Sequence, residues 1–250
     1  MKTYLVYFAL LLFSNEIFGQ ISNNKYDYFL RKIQVPGSSD SRIVVNKKNG
    51  DTTLQAYYNS RDVVNNTNQE FTKIYKGTPF FKNGWFRGKL SSEGGKELEF
   101  LMAFNIQKNE LYIVEDLNKD AVTIKPESFT IEGHHFSKFL NAYYEVIYIS
   151  NNTLLKEHSC VLHANSIEKT GYEASGGTGE YEGEFVKTSK FFLLKGEEVV
   201  QFPKGKHFYA LFGDKKPLIE EYIKLNNINL KSENGIVSTL KYYDSLENPQ

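Results

Sequence analysis

Apolar and polar positions alternate in short runs from residue 85 to residue 202, and Gly, Asn or Pro separates the runs. Residues 85–90 and 98–105 flank Gly94-Gly95. A turn at 105–109 precedes 111–114, and the runs 121–124 and 128–131 flank Pro126. Two longer runs, 139–149 and 153–164, are divided by Asn151-Asn152, and 185–194 and 198–202 flank Lys195-Gly196-Glu197. A period of two puts one face of each run in a core, and Gly or Asn between runs supplies hairpin turns. Parallel pairing would need helical crossovers, and this stretch has none, so it predicts an antiparallel sheet, sandwich or partial barrel.

The period changes after residue 204. Residues 206–212 suit two helical turns ended by Gly213, and Asp214 is placed to cap a second helix with Pro217 in its first turn. Leu218, Tyr222 and Leu225 then share a face, as do Ile236, Val237, Leu240, Tyr243 and Leu246 in a helix opened by Ser232 and Glu233. The fold class expected is α+β: a predominantly antiparallel β domain over 75–203, followed by a C-terminal cluster of short helices over 204–250 that covers the sheet. Residues 20–74 are polar and rich in Asn, Ser and Asp. They read as a loosely organised extension with one short hairpin, 42–46 against 53–58, across Asn49-Gly50-Asp51.

Residues 1–19 have the pattern of a signal peptide. Lys2 precedes an apolar run over 4–13, Ser14, Asn15 and Glu16 break it, and small Gly19 stands before Gln20. The run is shorter than the roughly 20 residues a membrane-spanning helix needs. The expectation is export to the periplasm or cell exterior, with no transmembrane segment once the leader is removed. Cys160 is the single cysteine, so an internal disulfide is excluded and a lipid anchor after the leader has no attachment point. Export without disulfides leans towards a bacterial source. Lys+Arg and Asp+Glu balance at 30 each, which leaves no basic surplus for nucleic acid.

From Tyr75 onward the chain carries Lys76-Gly77-Thr78-Pro79-Phe80-Phe81 with Trp85 and Gly88, then Leu101, Phe104 and Asn105 before Glu110-Leu111-Tyr112. Lys190-Phe191-Phe192-Leu193, Leu211-Phe212-Gly213-Asp214-Lys215-Lys216 and Tyr242-Tyr243-Asp244-Ser245-Leu246 follow towards the C-terminal end. The resemblance these motifs carry is to a family of exported, functionally uncharacterised Bacteroidota proteins. It implies a β-then-α layout and cleavage before Gln20. It brings no activity and no catalytic residue.

Several constellations bear on chemistry. Asp116-Leu117-Asn118-Lys119-Asp120 places oxygens at positions 1, 3 and 5 of a calcium loop, and Glu127 falls at position 12. Ala121 stands where such a loop needs Gly, Pro126 stiffens the approach and the flanks read as strands, so a polar turn competes with it. His158, Cys160 and His163 are zinc-type ligands, but on a strand 158 and 160 face one way and 163 the other. His134-His135 diverge in the same manner. Cys160 in mid-strand reads as a small apolar packer rather than a nucleophile. Gly177 and Gly179 sit in a Gly-rich loop that lacks the strand-to-helix context of a dinucleotide site. Glu180, Glu182 and Glu184 alternate as a solvated edge. Phe80, Phe81, Trp85 and Phe86 offer a stacking surface for a sugar or peptide, against the alternative of ordinary core. No cofactor is implied. The expected role is a non-catalytic module of the cell envelope or surface that binds another envelope protein or a glycan. The alternative is a hydrolase of envelope polymers using scattered carboxylates or those at 180–184.

Overall fold

The structure is a computed structural model and describes residues 38–45, 52–62, 65–91, 97–114, 121–150, 153–164, 181–203 and 205–247. These residues are mostly strand, with a few helices at the C-terminal end. The strands are β1 Asp40–Val45, β2 Thr52–Asp62, β3 Thr67–Lys76, β4 Phe86–Ser91, β5 Glu97–Asn105, β6 Glu110–Val114 and β7 Val122–Ile124. They continue as β8 Ser128–Ile131, β9 His134–Phe139, β10 Ala142–Tyr148, β11 Thr153–Ala164, β12 Gly183–Lys195 and β13 Glu198–Gln201. All belong to one sheet in the order β1-β2-β3-β12-β11-β10-β9-β8-β4-β5-β6-β7, with β13 added to β12. Pairing is antiparallel except where β3 meets β12, side by side at Tyr75–Gly183 and Lys76–Glu184.

Hairpin turns fall where the chain accepts a left-handed residue. Asn109 takes φ 57° between β5 and β6, and Gly196 takes φ 61° between β12 and β13. The run read as one strand over 139–149 is split instead. Leu140, at φ 58°, turns the chain between β9 and β10, so Phe139 ends one strand and Ala142 begins the next. A bulky residue in that conformation gives no compositional warning of a turn.

The segment before residue 75 is more organised than its polarity predicts. The hairpin across 46–51 is present as β1 on β2, and β3 extends it with a ten-residue antiparallel pairing to β2. Ile43, Leu54, Ala56 and Tyr75 from these strands lie in the same buried cluster as Phe104, Leu111 and Phe129. The expected boundary at residue 75 therefore falls inside β3.

Among the described residues the buried apolar side chains form two clusters. One takes Phe80, Trp85, Met102, Phe104, Leu111, Phe129 and Phe136. The other joins Leu154 and Leu193 of the sheet to Phe202, Phe208, Phe212, Ile219, Ile236 and Leu240. Its helices are α1 Lys206–Tyr209, a 3-10 turn over Ala210–Lys215, α2 Lys216–Leu225 and α3 Glu233–Glu247. Gly213 breaks helical geometry at φ 49°, as its position suggests. Asp214 does not cap α2, whose N-cap is Lys215 with no side-chain cap. Ser232 does serve α3, its Oγ accepting from the Gly235 N–H at 3.1 Å. The buried face of α2 also differs from expectation. Ile219 is fully buried while Leu218 and Leu225 are exposed, so the stripe is rotated by one residue. Among the described residues no helix is long and apolar enough to cross a membrane.

Candidate functional site

Sheet register assembles a polar cluster that linear spacing hides. Glu145 on β10 stands directly opposite Phe136 on β9 and Lys156 on β11. Directly opposed residues share a face, and so do the residues two positions away on either neighbour. Those diagonal positions hold His134 on β9 and His158 on β11. His134 Nδ1 meets Glu145 Oε1 at 2.5 Å, and His158 Nε2 meets Glu145 Oε2 at 2.6 Å. One carboxylate thus clamps two imidazoles contributed by the strands on either side.

The clamp lies where the two apolar clusters meet. Phe136 and Tyr143 belong to the first, and Ile147 packs on the second. The Phe81 ring stands edge-on to His134 at 5.0 Å and to His158 at 4.8 Å, and also packs on Phe136. Glu145 is 6% exposed. Burial pushes its carboxyl upward, but the hydrogen bonds from His158 and His134 more than offset this, so its pKa lies below the ordinary value. Lys156, the direct neighbour, turns away to Glu233 of α3 at 2.8 Å and lies over the Phe191 ring.

The aromatic residues singled out in sequence divide between roles. Phe80 and Trp85 are buried in the first cluster, and Phe86 is half-buried against it. Phe81 is half-buried over the two imidazoles. Asp116, Asn118 and Asp120 lie outside the described residues, as do Gly177, Gly179 and Glu180. Glu184 pairs with Lys76 at 3.1 Å on the exposed side of β12. His158 and Cys160 share a face, as alternation requires. Cys160 is buried, burial pushes its thiol up, and its Sγ lies 3.8 Å from the Thr78 carbonyl oxygen. His135 faces away from the clamp, 3.2 Å from the hydroxyls of Thr130 and Ser137. Among the described residues no group of three or more His, Cys, Asp or Glu side chains is arranged to hold a metal ion.

A second feature is the β2–β3 arm. Residues 67–72, the first six of β3, are all exposed, so both faces of that stretch meet solvent. Tyr58 and Phe71, directly opposed, stack at 5.2 Å with planes 9° apart, and Lys73 lies 5.3 Å above the Tyr58 ring. Phe71 is 45% exposed. The rings continue a line of aromatics leaving the core, since Tyr75 contacts Phe185 inside and Tyr58 outside. The pair lies in the polar segment before residue 75, where the surrounding Asn, Ser and Asp hide it in the sequence.

No family model matches the chain, and no curated protein or solved structure matches it.

Proposed function

We propose that this is an exported, non-catalytic binding module of the bacterial cell envelope or surface, and that it holds another envelope macromolecule through the β2–β3 arm. The observation that carries the reading is the Phe71 ring, 45% exposed in the fully exposed stretch 67–72 of β3 and stacked on a Tyr58 that is itself packed against the first apolar cluster. A rigid aromatic pair gives large contact area at low entropic cost, and an adjacent cation adds polar reach. A core explanation fails for Phe71, which is nearly half exposed. The signal-like leader and the resemblance to exported Bacteroidota proteins support the compartment. The sheet is read as a partial barrel, since strands from both ends of its order feed the first apolar cluster.

The test compares the wild-type protein with a double variant, Tyr58→Ser with Phe71→Ser, as baits against native envelope extract and immobilised envelope glycan. A partner bound reproducibly by the wild type and lost with the double variant is the expected result. Equal recovery by both proteins, or no reproducible partner in either format, overturns the reading. Circular dichroism first establishes that the double variant keeps its strands.

A further inference from the structure

Pairing register sorts the β2–β3 arm into two faces. Ala56–Lys73, Tyr58–Phe71 and Ser60–Gln69 are directly opposed pairs, so these six side chains share one face. Leu54 and Tyr75, one rung further in, are buried on that same face. Outward from the core the face presents a cation, then the stacked rings, then a hydroxyl beside an amide, at roughly 6.8 Å per rung. Tyr58 backs one side of the Phe71 ring, so the exposure of Phe71 falls on the rest of it. Ser60 and Gln69 are exposed, and among the described residues neither side chain has a hydrogen-bond partner. Lys73 lies over the Tyr58 ring and has no carboxylate partner among the described residues. Glu70 belongs to the other face of the arm, and Glu182 acts on Tyr75, a rung deeper.

Area and chemistry narrow the partner. Three rungs of a two-stranded ribbon present roughly 200 Å² on one face, whereas a stable protein–protein interface takes about 800 Å² from each partner. Among the described residues Phe71 is also the only large apolar side chain exposed on this face, so the face lacks the apolar patch that marks a protein contact. Its extent suits a short stretch of sugar rings. A pyranose turns a layer of C–H groups to one side, and these stack on the electron-rich face of an aromatic ring. Its hydroxyls donate and accept, as do the Gln69 amide and the Ser60 hydroxyl at the next rung. Lys73 supplies an unneutralised positive charge at the inner end.

We infer that the partner of the arm is an acidic polysaccharide. A sugar ring lies on Phe71, its hydroxyls meet Gln69 and Ser60, and a carboxylate of the glycan chain meets Lys73. This rests on the arm being the binding surface, and it adds the chemical class of what that surface holds.

The test passes the full chain over immobilised polygalacturonate and alginate, both acidic, and over neutral dextran. The wild type should be retained on an acidic polymer, less so as salt rises, and not on dextran. Phe71→Ser should weaken that binding about tenfold. Lys73→Gln should weaken it about twofold to fivefold. Asn68→Ser, on the other face, should bind as wild type. Should Phe71→Ser fail to fold, Lys73→Gln still decides, because Lys73 belongs to neither apolar cluster. The inference is overturned if neither acidic polymer retains the wild type, if dextran retains it equally, or if a folded Phe71→Ser or Lys73→Gln variant binds as wild type. A protein captured from envelope extract by the wild type and lost with the serine double variant, with neither acidic polymer retaining the chain, overturns the glycan and leaves the binding role of the arm standing.

Discussion

At residue scale the central balance is at Glu145. Burying a lone carboxylate is costly, and two N–H donors at 2.5 and 2.6 Å offset that cost. Because its pKa in the folded chain lies below the ordinary value, the folded state favours the ionised form. The stability this contributes is present above the unfolded value of about 4.3 and is lost as pH falls through the lower folded value. The E145Q variant should therefore be about 1–3 kcal/mol less stable than wild type at pH 7, since a neutral amide cannot accept from both rings through two oxygens. The gap should close as pH falls below the folded-state value. Urea unfolding of both proteins at neutral and strongly acidic pH measures this. A gap that persists undiminished into strong acid would show that the clamp's charge contributes nothing.

At the scale of elements, much of the fold could be read because period and turn chemistry agreed. Runs on either side of Gly94-Gly95 and of Lys195-Gly196-Glu197 are strands β4, β5, β12 and β13. Two elements were less legible for identifiable reasons. Helix α2 carries apolar residues on more than one face, and Leu218, Tyr222 and Leu225 compete as a stripe with Ile219 and Ile223. Packing against the second cluster selects the latter pair, which a helical wheel alone does not decide. The Glu145 clamp joins three strands, and its partners lie 11 and 13 residues away in sequence. Finding it needs the cross-strand register and the turn at Leu140, and that turn has no Gly or Asn in the left-handed position. The α2 assignment is directly checkable. Ile219→Ala should cost about 2–5 kcal/mol by opening a cavity in the second cluster, whereas Leu218→Ala should change stability by about 0.5 kcal/mol or less. Denaturant midpoints of the two variants decide it, and equal losses would restore the stripe through Leu218.

At the scale of the whole molecule, the two apolar clusters are coupled through continuous strands. Strand β11 sends Leu154 into the cluster under the helices and Cys160 into the other, from the same face. Strand β12 does the same with Leu193 and Phe185. The helices are further tied to the sheet by Tyr148 to Asp244 at 2.6 Å and by Lys156 to Glu233. A cap that shares its strands with the main core cannot melt without exposing Leu154 and Leu193, so unfolding should be one cooperative event. Trp85, the single tryptophan, is buried in the first cluster and reports on it by fluorescence. Leu240 is buried in the second, on α3. Leu240→Ala should therefore lower the midpoint seen by Trp85 fluorescence and the midpoint seen by far-ultraviolet circular dichroism together, by an amount equal to about 2–5 kcal/mol. If the circular dichroism transition moves while the Trp85 transition stays, the helices fold as a separate unit and the shared strands do not transmit their loss.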